Sequence, residues 1–126
     1  MKAVMDIELS LGYIPKDISA EKRGYDIESL IPIEVRGNAA PLRFIEVKGR
    51  IKGADTVSVT KNEILTAFNK PDSFILAIVE VDGKETQTVY LKQPFKIHPD
   101  FAATSVTYNI GELVKSAEVI LEQGGK

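Results

Sequence analysis

The chain has 126 residues, enough for one domain with a real core and too few for two. Apolar residues make up 44% and charged residues 27%, the balance of a soluble globular protein, and a net charge of −2 argues against a polyanion binder that works through bulk charge. The absence of cysteine excludes disulfides and thiolate metal sites.

In chain order, "AVMDIELSL" at residues 3–11 puts Val4, Ile7 and Leu11 on one helical face, with Gly12 as the cap behind it. Residues 13–24, polar and containing Pro15, read as a loop. "GYDIESLIPIEV" reads as a strand interrupted at Pro32, "RGNAAP" as a turn, and "LRFIEVKGRI" as the return strand of an antiparallel hairpin. "TVSVT" is a short alternating strand. Thr60 to Glu63 then forms a capping box before Ile64, Leu65, Ala67 and Phe68, and Pro71 stops that helix.

"SFILAIVEV" has the continuous apolar character of a strand buried on both faces, and Asp82-Gly83 turns it back into "TQTVYL". An irregular segment, "KQPFKIHPDF", leads to the short strand "TSVTYNI". Asn109 and Glu112 open a second helix start, with Ile110, Leu113, Val114, Ala117, Ile120 and Leu121 on one face up to Gly124-Gly125. The order predicts an α/β fold with a mixed sheet and flanking helices. No apolar run approaches the roughly 18 residues of a membrane span. Asp6 and Glu8 interrupt any signal-like stretch, so a cytoplasmic protein is expected.

The stretch "FIEVKGR" carries the chemistry. Strand alternation sets Phe44, Glu46 and Lys48 on one face, with Ile45 and Val47 on the other. If the hairpin partners are adjacent, Asp26 converges with Glu46 on a space suited to a divalent cation. Mg²⁺ takes hard oxygen ligands, commonly one or two carboxylates completed by water. Lys48 would point at the same spot, to orient a water or offset charge on a phosphate. Glu8, one residue beyond the apolar face of the first helix, is a further acidic candidate. From residue types alone, a plain ion pair on a solvated strand is the commoner account of Glu46 and Lys48, since E-x-K is a frequent pattern.

Three blocks in order, "GYDIES", "FIEVKGR" and "VTKNEILTA", resemble a domain family known from the C-terminal region of the plant protein NO VEIN. That domain is also attached to bacterial and archaeal helicases, restriction systems and Hsp90-like ATPases. The family is regarded as a divergent member of the PD-(D/E)xK, restriction-endonuclease-like superfamily. The segment from "YLKQPF" to "YNIGELVKSAE" looks like the end of the version attached to Snf2-type helicases. The resemblance implies a restriction-endonuclease-like core over residues 1–126, forming the C-terminal part of a larger protein. It implies Asp26 and Glu46 as metal carboxylates for Mg²⁺ or Mn²⁺, Lys48 as the catalytic lysine, and Glu8 as an accessory acidic group. The superfamily's proline is absent, and Tyr25 precedes the aspartate.

The implied partners are nucleic acid, DNA ahead of RNA, and a helicase domain. The implied activity is phosphodiester cleavage in a helicase or restriction/defence system. The alternatives are a catalytically inactive nucleic-acid-binding module or a protein-interaction module. Thr60, Asn62 and Glu63 could face a phosphate, although the capping box alone explains their residue types. Arg50, Lys52 and Lys61 form a candidate basic patch, and Glu28 is a substitute ligand. His98, Tyr25 and Phe44 read as packing residues.

Overall fold

The computed structural model describes residues 1–37 and 40–125. Asn38 and Ala39 of the expected turn, and Lys126, lie outside the described residues. Among the described residues four α-helices, α1 (Lys2–Ser10), α2 (Ile33–Arg36), α3 (Lys61–Asn69) and α4 (Ile110–Ser116), are interspersed with eight strands. Six strands form a mixed sheet in the order β1 (Ile14–Asp17), β2 (Ile27–Leu30), β3 (Leu42–Ile51), β5 (Phe74–Asp82), β6 (Glu85–Lys92) and β8 (Glu118–Gly125). Among the described strands only the β3–β5 pair is parallel. β4 (Thr56–Thr60) and β7 (Ser105–Asn109) form a separate antiparallel ribbon.

β5 lies inside the sheet because both of its faces are apolar. Phe74, Leu76 and Ile78 join the core formed with α3, α4 and the β4–β7 ribbon, through Ile64, Ala67, Val57, Val59 and Leu113. Ile75, Ala77 and Val79 join the opposite core, with Val4 and Ile7 of α1, Ile27, Ile45 and Tyr90. α1 therefore covers one face and α3 the other. Burying each such aliphatic side chain contributes about 1.5–3 kcal/mol relative to exposure. The β5–β6 hairpin turns at Gly83, whose φ of 62° suits a glycine. No helix among the described residues is long and apolar enough to cross a membrane.

Three sequence expectations need correction. Residues 13–24 are not all loop, because Ile14–Asp17 pairs antiparallel with β2. Its Pro15 and mostly exposed positions hid it, and both suit an edge strand. The strand expected over 24–35 is confined to Ile27–Leu30, and Pro32 leads into the one-turn α2. The expected terminal helix ends at Ser116. Ala117 turns extended, and Glu118–Gly125 becomes β8 on the open edge of β6. Ile120 and Leu121 fit a helical face in the sequence, but Leu121 pairs with Tyr90 on the edge of β6, and Ile120 falls at the register shift between Tyr90 and Leu91.

Candidate functional site

Asp26, Glu46 and Lys48 meet where the entry to β2 and the middle of β3 face the first turn of α3. Asp26 precedes β2 and is stitched to β3 on both sides of Glu46. Its backbone N–H donates to the Ile45 carbonyl at 2.8 Å, and its Oδ2 accepts from the Val47 N–H at 2.9 Å. This sets its carboxyl in the same cleft as the Glu46 carboxyl. Strand alternation operates as expected: Ile45 and Val47 belong to the α1 side, and Glu46 and Lys48 project to the α3 side.

Glu46 is almost fully buried. Burial first, then the negative charges of Glu63 and Asp26, push its carboxyl up to about 9, and Lys48 offsets this only in part. Lys48 Nζ stands 2.9 Å from Glu63 Oε1 and 3.4 Å from Glu46 Oε2. Burial pulls the Lys48 ammonium down, but the hydrogen bond to Glu63 and the charges of Glu46 and Glu63 more than reverse this, so its pKa lies above the ordinary lysine value.

The helix start that brings in Glu63 is the capping box expected at Thr60. Thr60 Oγ1 accepts from the Glu63 N–H at 3.2 Å, and Glu63 Oε1 accepts from the Thr60 N–H at 2.9 Å. A cleft of about 250 Å³ lies over Asp26, Glu46 and Glu63, and is lined also by Lys22, Gly24, Thr60 and Asn62. Gly24, at φ +87°, presses this loop against α3; a Cβ there would stand 2.3 Å from Thr66 Oγ1 and 3.2 Å from the Asn62 carbonyl. Gly24→Ala is expected to destabilise the fold by more than about 1 kcal/mol and to move Asp26, measured by thermal melting and by the Val47 amide NMR shift. An unchanged melt and shift would show that the loop does not depend on this contact.

Glu8 is not part of this cluster. Fully buried on the α1 side, it takes a two-pronged contact from Arg43, Nε to Oε1 at 3.0 Å and Nη2 to Oε2 at 3.2 Å, and accepts from the Tyr90 hydroxyl at 2.9 Å. Glu28 is likewise engaged elsewhere, by the Tyr25 hydroxyl at 3.1 Å and Arg23 at 3.8 Å. The basic patch disperses: Lys52 pairs with Asp82, and Lys61 donates to the Phe101 carbonyl. His98 stacks on Phe68, and Tyr25 meets Phe44 at a tilt of 60°, as packing residues do. Sequence reading assigned Glu63 to the helix cap and had no signal for its second contact with Lys48. A larger groove of about 470 Å³, lined by Ile97, His98, Val106, Tyr108 and Leu113, contains none of these carboxylates; its own are Asp100 and Glu112.

The fold and site define a mixed-sheet α/β domain with a carboxylate–lysine cluster in a cleft beside a capped helix. Residues 1–91, from α1 through nearly all of β6, match the family described as Protein NO VEIN, C-terminal, and the chain belongs to that family. No curated protein and no solved structure matches the chain. β7, α4 and β8 lie beyond the matched residues.

Proposed function

We propose that this protein is a metal-assisted phosphodiesterase domain with a divergent restriction-endonuclease-like, PD-(D/E)xK core. It acts on nucleic acid, DNA ahead of RNA, in the company of a helicase or a restriction system. One observation carries the reading: Asp26 and Glu46 line one cleft, and the Lys48 ammonium stands 3.4 Å from Glu46 Oε2. Among the described residues no group of three or more His, Asp or Glu side chains is arranged as a metal cage. Two carboxylates lining one cleft are hard oxygen donors of the kind Mg²⁺ or Mn²⁺ takes, with water and substrate oxygens to complete the shell. Glu46 and Glu63 lie against the Lys48 ammonium, and Asp26 lines the same cleft as both; ionised, the three carboxylates leave an excess of two negative charges over the one lysine, which one divalent cation balances.

When bound, the cation would supply Lewis-acid polarisation and an activated water. Asp26 and Glu46 would hold it, and Lys48 would offset phosphate charge and orient the water. Glu8 has no part in this set, because its oxygens are engaged by Arg43 and Tyr90.

A second reading, a protein-interaction module of a helicase, is favoured by one surface. Ile97 and Phe101 are 81% and 97% exposed, and Ile97 lines the apolar groove beyond the family match.

Titration calorimetry with Mg²⁺ and Mn²⁺, followed by cleavage assays on single- and double-stranded DNA and RNA, separates these readings. Asp26→Asn is expected to lose metal binding. Lys48→Ala is expected to lower cleavage by roughly 10²–10⁴-fold while keeping most nucleic-acid binding, because one lysine is one of several phosphate contacts. Wild type that never cuts, with either ion and with or without a helicase partner, would overturn the enzyme. Salt-sensitive binding without cutting would leave a binding module, and neither activity would leave the interaction module.

A further inference from the structure

We propose that Glu63 is a positioning residue that holds the Lys48 ammonium off Glu46; this rests on the reading of Asp26, Glu46 and Lys48 as the working set. A glutamate and a lysine two apart on one strand face can pair directly, and the long lysine arm would then cover a carboxylate oxygen that a cation needs. Here the short contact goes elsewhere. Lys48 Nζ is 2.9 Å from Glu63 Oε1, whereas the 3.4 Å to Glu46 Oε2 exceeds an ordinary N–H···O hydrogen bond.

Glu63 is itself fixed. The oxygen that receives Lys48 also accepts the Thr60 N–H at 2.9 Å, and the Glu63 N–H returns to Thr60 Oγ1 at 3.2 Å. The helix that carries this cap is anchored in the core by Ile64 and Ala67. Lysine position is thus referred to the start of α3, not to its neighbour Glu46 on β3. A capping box alone does not ask for this, since glutamine serves at the same position. Glu63 has two tasks, and only the second needs its charge.

Glu63→Gln separates the tasks, because it keeps the cap and removes the anion. In the wild-type protein without metal, the Lys48 ammonium is expected to give a resolved ¹⁵Nζ signal by NMR, the mark of an ordered, hydrogen-bonded lysine. That signal should merge with the bulk lysines in Glu63→Gln. It should persist in Glu46→Gln, a variant that leaves the cap untouched. By calorimetry, Glu63→Gln should weaken Mn²⁺ binding roughly tenfold, the scale on which groups behind metal ligands act.

Placed in a Lys48→Met background, the same substitution should cost less than about twofold, because there is no lysine left to position. An equal loss with and without Lys48 would overturn the proposal, since Glu63 would then act as a ligand or through its own field. Loss of the ¹⁵Nζ signal in Glu46→Gln, or its survival in Glu63→Gln, would overturn it as well. Wild type without metal binding would instead sink the functional reading, and the ammonium signal would still decide what holds Lys48.

Discussion

Arg43→Ala is expected to remove about 3–5 kcal/mol of stability, the usual cost of stranding one member of a buried ion pair. Glu8 has no exposed side-chain surface, and Arg43 supplies two of its three hydrogen bonds. The guanidinium also lies 5.1 Å from the Tyr13 ring centroid and 5.6 Å from that of Tyr90, so truncation removes packing as well as charge. Burial, with the Glu8 charge, already pushes the Tyr90 hydroxyl well above its ordinary range, so it stays a donor and cannot neutralise a stranded carboxylate.

Against a total stability of about 5–15 kcal/mol, the loss lowers the thermal midpoint by roughly 10–20 °C. Glu8→Gln should cost less, because Arg43 is partly exposed and can turn to water. Replacing both partners by apolar residues of similar volume should cost less than Arg43→Ala alone. Urea midpoints of the three variants check this; a loss under about 1 kcal/mol in Arg43→Ala would mean that the Glu8 pocket is wet. The experiment also bears on function, because stability should change while the metal binding proposed at Asp26 and Glu46, on the other face of the sheet, should not.

Local chemistry in the sequence anticipated the parts of the fold that it governs. The capping box at Thr60, the Asp82-Gly83 turn and the doubly apolar β5 each follow from a few adjacent residues, and each is present. Strand alternation correctly sent Glu46 and Lys48 to one side, and the resemblance around "GYDI" brought Asp26 to them.

What remained hidden depends on distant partners. β8 is a strand because β6 has a free edge to complete, not because "EVILEQGG" rejects a helix. Glu8 sits one residue past an apolar stripe, and nothing near it in sequence announces Arg43, 35 residues away and selected by its parity on β3. Glu63 was legible as a cap but not as the partner of Lys48, because that contact exists only once α3 is laid over β3. Polar residues whose local role already suffices are the ones whose second role a sequence conceals.

Stability is expected to fall as pH rises from about 4.5 to about 9, opposite to the usual trend for a carboxylate held by a partner. The Glu46 carboxyl is ordinarily half-ionised near 4.5 and in the folded chain is pushed up to about 9, by burial first and by Glu63 and Asp26 next. Within that window the folded chain holds a proton that the unfolded chain has lost. Folding therefore takes up protons, and raising pH works against it at up to about 1.4 kcal/mol per pH unit. The contribution is complete below the unfolded value and is lost as pH passes through the folded one.

Glu46→Gln keeps the shape without the ionisation, so its advantage over wild type should widen between pH 5 and pH 8. A divalent cation reverses the electrostatics of the cluster, since its charge favours the ionised carboxylates that neighbouring anions oppose. Mg²⁺ or Mn²⁺ should then raise the wild-type melting temperature most near pH 8 and release close to one proton per ion at neutral pH, while Glu46→Gln does neither. Melting curves across pH, and calorimetry in buffers of different ionisation heat, measure both effects. Parallel stability profiles for wild type and Glu46→Gln would mean that Glu46 is ionised throughout, and that the cleft is a solvated ion-pair cluster without a place waiting for a cation.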